Sequence, residues 1–350
     1  MGDREGAQKA IRVRATAPMR VDFVGGWTDV PIYADDQGGA VVNAAIERRV
    51  RVECLLGDSR IRLHAEDLGH RVTLPSSRHL TYDGTLDLHK AALNMLPVTG
   101  GIEVLTRSDA PGGSGLGASG ALDVALLAGL AHCREEHFTP EELAELGFQL
   151  EARELGLLGG RQDQYAAALG GFHLYEFGRS AVGVRPLSVD GATAEDLARH
   201  LVVAYTGHSH FSSATHERVW RAFRARDPSV VEALQAMREL ADPAADALEA
   251  ADWRRLAEVV DANWCAQQRL DPTIATEGMH GIEHAMRRAG AWGVKATGAG
   301  AGGCLIALCG PSSRRSVVSA AEEAGADVLD VGFASEGVRV WEEPGAAPNA

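Results

Sequence analysis

No apolar stretch in the sequence reaches the length needed to span a bilayer, which excludes a membrane-crossing helix. There is no block rich in lysine and arginine either, and the formal net charge is −14. A surface of that sign repels nucleic acid and anionic membrane, so neither is an expected partner. A few local donors can still hold an anionic substrate against so distant a field. The five cysteines (Cys54, Cys133, Cys265, Cys304, Cys309) form no CxxC pair and have no metal-ligand spacing. Scattered thiols, odd in number, suit a reducing compartment and argue against a disulfide framework. The N-terminus has no apolar signal region, and Gly6 stands where a myristoylation pattern needs Ser or Thr. A cytoplasmic protein is expected, with fraying limited to the polar first ten residues and the tail 344–350.

What is present is a globular composition, 45% hydrophobic and 23% charged over 350 residues, enough for two domains. Alternating residues predict a strand over 11–15 and a second one carrying Val21 and Phe23, with Pro18 punctuating the two. Gly25-Gly26 then presents Thr28 and Asp29 on a turn. Further strands are predicted over 46–53, 102–106, 172–177, 201–205 and 304–309. An Ala/Leu-rich helix is predicted over 121–133. Thr139, Pro140 and Glu142 spell a helix start with a capping box, and that helix carries Glu151 and Glu154 near its end. A short helix follows Gly159-Gly160. Residues 179–199 show no period and are assigned to a crossover. Helices are predicted over 215–224, 230–240, 253–270 and 281–289. Strands and helices without regular βαβ alternation predict an α+β fold.

Two glycine-rich loops carry chemistry. The first runs Pro111-Gly112-Gly113-Ser114-Gly115-Leu116-Gly117-Ala118-Ser119-Gly120, between a predicted strand and a predicted helix. Glycines let successive N–H groups converge, and the helix adds the positive end of its dipole, which suits a nucleotide's phosphates. Both this loop and Gly298-x-Gly300-x-x-Gly303 fit the short dinucleotide fingerprint. Glu135, about 20 residues on, lies between two helices rather than at a strand end, which disfavours a dinucleotide site. The absence of Gly-Lys-Ser/Thr excludes a Walker loop.

Three separated motifs resemble those of the GHMP kinases. They are Ala17-Pro18-Met19-Arg20-Val21-Asp22-Phe23-Val24-Gly25-Gly26-Trp27-Thr28-Asp29, the Pro111 loop, and Lys295-Ala296-Thr297-Gly298-Ala299-Gly300-Ala301-Gly302-Gly303. Within the family, Gly38-Gly39-Ala40-Val41-Val42-Asn43 and the dozen positions from Gly159 to Gly171 are most like bacterial D-glycero-D-manno-heptose 7-phosphate kinases. The resemblance implies an N-terminal domain like ribosomal protein S5 domain 2, over 1–190, and a ferredoxin-like C-terminal domain, over 191–350. It also implies ATP, Mg²⁺ and a sugar or sugar-phosphate acceptor, in a monomer or homodimer.

The resemblance implies roles as well. Asp163 would be the catalytic base on the attacking hydroxyl; the local rival is a helix N-cap. Arg20 would hold Asp163 ionised or stabilise phosphoryl oxygens. Asp29, Thr28, Gly26, Gln162, Gly207 and His208 would meet the sugar, and the Asp29 rival is an Asx-turn. Pro111 to Ser119 would cradle the nucleotide, with Gly298, Gly300 and Gly302 returning to it. Ser119 and Glu151 would hold Mg²⁺, Glu154 competing with Glu151. Here Ala118-Ser119-Gly120 replaces the family's Ser-Ser-Ala, so one loop hydroxyl is missing. His210 and Gln267 stand where arginine and lysine are expected, a change pointing to an unphosphorylated acceptor.

Overall fold

The computed structural model describes residues 11–57, 59–75, 79–208 and 213–344. The first ten residues, His210 and the tail beyond Pro344 lie outside the described residues. The chain runs β1 (Ile11–Val24), α1 (Pro31–Gln37), β2 (Gly39–Gly57), β3 (Arg60–Ala65), β4 (His70–Pro75), α2 (Asp87–Met95), β5 (Gly101–Ser108), α3 (Ala118–Cys133) and α4 (Pro140–Gln149). A π turn over Leu150–Glu154 leads to α5 (Gln162–Leu169), β6 (Phe172–Phe177), β7 (Val182–Pro186), α6 (Gly191–His200) and β8 (Leu201–Tyr205). Five helices follow: α7 (Ser213–Arg224), α8 (Pro228–Glu239), α9 (Ala241–Glu249), α10 (Trp253–Gln268) and α11 (Glu277–Arg288). The last elements are β9 (Ala291–Ala296), β10 (Cys304–Cys309), α12 (Pro311–Glu323), β11 (Asp327–Leu329) and β12 (Arg339–Pro344).

The fold is α+β, built on two sheets. The first has the order β12-β1-β2-β5-β3-β4, with β6 on β2 and β7 on β6. The second, β11-β8-β10-β9, is antiparallel throughout. Its order is that of a ferredoxin-like β-α-β-β-α-β unit, with five helices in place of one between β8 and β9. After β11 the chain returns: Phe333 bridges to Ile46, and β12 pairs with the outer edge of β1.

Pro18 does not divide β1. It pairs with Arg49, and a register shift between Pro18 and Met19 lets one strand continue past the proline, as β-bulges do. The unpatterned stretch 179–199 is not bare crossover either. It contains β7, which pairs with β6, and most of α6, capped by Asp190. The capping box at α4 forms as predicted, with Glu142 N donating to Thr139 Oγ1 at 3.2 Å and Thr139 N to Glu142 Oε2 at 2.8 Å.

The helix α3 is buried along nearly its whole length and lies across β1 and β2, so its apolar run has no polar face to show. Trp27, Val30 and Tyr33, which follow the Gly25-Gly26 turn, belong to the core of the second sheet. That turn therefore joins the two halves of the molecule.

Candidate active site

The side chain of Arg20 leaves β1 almost fully buried, 3% exposed. Its Nε donates to Asp163 Oδ1 at 2.7 Å, its Nη2 reaches the same oxygen at 2.6 Å, and its Nη1 donates to the carbonyl of Gly115. The backbone N–H of Arg20 donates to Leu116 O at 2.9 Å. One strand residue thus grips both the carboxylate and the first glycine loop.

Asp163 is the second residue of α5, not its N-cap, so the local rival reading does not hold. The capping oxygen comes from elsewhere in the chain. Asp29 Oδ2 accepts from Gln162 N at 3.0 Å, at the start of the helix. Burial pushes the Asp29 carboxyl up to about 6, opposed by that N–H and assisted by the charges of Asp163 and Asp22. A Cβ on Gly160 would sit 1.8 Å from Asp29 Oδ2, so this approach requires glycine.

The first loop is left-handed at Gly113, Gly115 and Gly117, with φ of 72°, 74° and 75°. Alternating left-handed residues turn their N–H groups inward, and the N-terminus of α3 follows directly. Gly117 and Gly120 bring α3 against Asp163. A Cβ at Gly120 would lie 2.6 Å from Asp163 Cβ, which accounts for glycine where the family pattern has alanine. The second loop meets the first backbone to backbone. Cβ atoms on Gly115, Gly298 and Gly303 would lie 2.4, 2.9 and 2.7 Å from Thr297 O, Gly115 O and Ser114 O. Gly300 and Gly302 are also left-handed, and Gly300 packs against Ile274.

Lys295 and Asp22 join the two sheets beneath this site. Their Nζ–Oδ2 distance is 2.9 Å, and both side chains are fully buried. Lys295 Nζ also donates to Asp22 O at 3.1 Å, and Asp22 N donates to Thr297 Oγ1 at 3.0 Å. Burial lowers the Lys295 ammonium below its usual range, with Asp22 opposing. Asn263 Oδ1 accepts from Gly25 N at 2.9 Å and fixes the turn from the far domain. Motif reading missed Asp22, Lys295, Thr297 and Asn263 as partners; the only local signal was a lysine inside an apolar strand.

Other sequence candidates stand elsewhere. Thr28 is buried, and its hydroxyl is used up by Gly25 O, Ala40 O and Ala40 N. It shapes the turn, and its one proton is already taken by these carbonyls. Gly26 faces Asp22 Oδ2 and the Gln162 amide, 2.3 and 3.2 Å from where a Cβ would be. Gln162 is held by Asn43. Gly207 and His208 are exposed, and the His208 carbonyl accepts from Gly303 N at 2.9 Å. Gln267 is 1% exposed and donates to Gly298 O at 2.9 Å. It holds the second glycine loop, so its uncharged state is no sign of acceptor charge.

Glu151 sits in the π turn, where Leu155 N reaches back to Leu150 O at 3.2 Å. Such turns re-aim side chains within a helix. Its Oε2 accepts from Gln164 Nε2 at 3.0 Å, and the Ser119 hydroxyl also bonds the carboxyl, which burial pushes up. Glu154 instead accepts from the Tyr82 hydroxyl at 2.9 Å. Among the described residues no group of three or more His, Cys, Asp or Glu side chains is arranged to hold a metal. A magnesium ion bridged by phosphates needs only one or two protein oxygens, and the desolvated Glu151 carboxyl beside a hydroxyl fits that demand.

Comparison with known proteins agrees with this geometry. GHMP kinases N terminal domain matches residues 84–171, and GHMP kinases C terminal matches 244–327. A mevalonate kinase of Thermococcus gammatolerans is 32% identical over 250 residues, 69% of this chain and 70% of that one. This chain belongs to the GHMP kinase family. A D-glycero-alpha-D-manno-heptose 7-phosphate kinase of Campylobacter jejuni is 29% identical over 340 residues, 94% of this chain and 98% of that protein. The crystal structure of a D-glycero-D-manno-heptose 1-phosphate kinase from Bacteriodes thetaiotaomicron superposes with a TM-score of 0.79 at 26% identity, covering 94% of this chain and 98% of that one. This GHMP kinase is an enzyme, a phosphotransferase that takes ATP as phosphate donor. Among the described residues no helix is long and apolar enough to cross a membrane.

Proposed function

We propose that this sugar kinase of the GHMP family phosphorylates a heptose or heptose 7-phosphate, at the anomeric O1. The heptose names of two relatives support the substrate class. The carrying observation is the Arg20–Asp163 contact beside Gly115, which sets a carboxylate against the loop that would hold the triphosphate.

In this reading the N–H groups of residues 113–119 and the start of α3 bind the phosphates. Asp163 takes the proton from the attacking hydroxyl, and the guanidinium of Arg20 keeps that carboxylate oriented and ionised. Asp29 accepts from sugar hydroxyls while capping α5. Ser119 and Glu151 would hold Mg²⁺, which would neutralise phosphate charge when bound. Asp22, Asp29 and Asp163 against Arg20 and Lys295 leave the acceptor side acidic, which suits the hydroxyl-bearing part of a sugar. All these groups come from a single chain, so a monomer or a homodimer would serve.

Release of ADP across a panel of heptoses, heptose 7-phosphates, hexoses and mevalonate tests the proposal. Heptose or its 7-phosphate should be turned over with the highest kcat/KM. Preference for another sugar or for mevalonate removes the heptose assignment. ATP and sugar binding without any turnover would make the protein a sensor.

A further inference from the structure

The turn that leads from β1 to Asp29 is closed by a bond from Thr28 N to Gly25 O at 3.0 Å, which makes Trp27 the third of its four residues. Trp27 has a φ of 78°. A type II turn demands such a left-handed value at its third position, and glycine or asparagine ordinarily supplies it. A bulky residue there costs about 1–3 kcal/mol of backbone strain. The Trp27 ring leaves the turn for the core of the second sheet, where it is buried. It stacks on His216 of α7, with centroids 4.3 Å apart and planes 24° from parallel, and Trp220 of the same helix lies 5.8 Å away. The indole N–H groups of Trp27 and Trp220 have no hydrogen-bond partner among the described residues, so packing alone holds the rings together.

The helix that receives the ring is itself pinned. Arg218 of α7 donates to both oxygens of Asp271, at 2.8 and 3.1 Å, and to Thr273 Oγ1 at 2.7 Å. Strain that the surroundings hold in place points to a role in function. Two residues beyond Trp27, Asp29 Oδ2 accepts from Gln162 N at 3.0 Å, one residue before Asp163. We infer that Trp27 is a positioning residue for the acceptor: its ring, anchored on His216 and Trp220, sets where the turn holds Asp29 against α5 and so against the sugar. This rests on the reading that Asp29 meets acceptor hydroxyls. Glycine at position 27 would relieve the strain and release the anchor together, so stability and acceptor binding need not fall in parallel.

The test uses the full chain with ATP–Mg²⁺ and, as acceptor, whichever of heptose and heptose 7-phosphate the wild type turns over. Trp27→Gly should lower kcat/KM for the sugar on the order of 100-fold, the effect of misplacing a substrate by about 1 Å. The KM for ATP should stay at its wild-type value, because Gln267 holds the second glycine loop independently. Trp27→Phe, which keeps a ring for His216 to stack on, should restore most of the loss. Hydrogen exchange reads the same placement without a sugar. The Gln162 amide should lose protection in Trp27→Gly and regain it in Trp27→Phe, while the Gly170 amide, bonded to Ala166 O at the far end of α5, keeps its rate. His216→Ala removes the stacked ring from the other side and supplies the same comparisons if Trp27→Gly does not fold. Wild-type kcat/KM for the sugar in either folded variant overturns this inference alone. A wild-type sugar KM in Asp29→Ala overturns the acceptor role of Asp29 and this inference with it. If the wild type phosphorylates neither heptose, the heptose assignment falls, and an unchanged Gln162 amide then overturns the positioning role.

Discussion

Two nitrogens of Arg20 converge on one oxygen of Asp163, at 2.7 and 2.6 Å, across 143 positions of sequence. In the proposed mechanism the other carboxylate oxygen takes the proton of the attacking hydroxyl. The pair joins β1 to α5 at the point where α3 begins, so three elements must be correctly placed before the carboxylate is.

Asp163→Ala should lower kcat at least about 100-fold, the usual contribution of a positioned base. ATP affinity by calorimetry should stay nearly unchanged, since the Asp163 carboxylate pairs with Arg20. Near-normal turnover would show that another group accepts the proton.

Asp29 titrates near 6 in the folded chain against an ordinary 3.8. A carboxyl with a raised folded value stabilises the fold below the ordinary value and loses that contribution as pH rises through the folded one. Between pH 3.8 and about 6 the wild type should lose about 2 kcal/mol that Asp29→Asn does not lose. Urea unfolding of both proteins at the two ends of this window checks it. Parallel profiles would mean that Asp29 titrates normally.

Lys295→Met leaves the Asp22 carboxylate sealed between the sheets without a counter-charge. The single variant should lose about 3–5 kcal/mol. Adding Asp22→Leu should restore most of that, because the two charges are removed together. A double variant no more stable than the single one would point to Lys295 packing rather than to the ion pair.

Gly115→Ala meets two obstacles, a φ of 74° and the Thr297 carbonyl 2.4 Å from the new Cβ. A cost of about 1–3 kcal/mol is expected, with a higher KM for ATP and little change in the KM for sugar. Steady-state kinetics with each substrate varied separates the two.

Much of this site could be read locally. The glycine loops, the turn before Asp29 and the Thr139 capping box are set by residues within a few positions of one another. Pro18 misled because a bulge, which depends on the facing strand, absorbs it. Gln267 looked like a missing charge until its amide was found on Gly298. The Asp22–Lys295 pair spans 273 positions, and no local period reveals which carboxylate a buried lysine will meet. The stretch 179–199 hid β7 because Val182 and Val184, its only core-facing residues, are too few to show a period in a five-residue strand.

The pairing of β12 with β1 bears on the order of assembly. The six residues Ile11 to Thr16 wait for Arg339 to Pro344, made more than 320 positions later. During synthesis one edge of the strand that carries Arg20 stays free until β12 has been made. Growing chains should therefore be protease-sensitive and aggregation-prone at this edge, and activity should emerge only with the last strand.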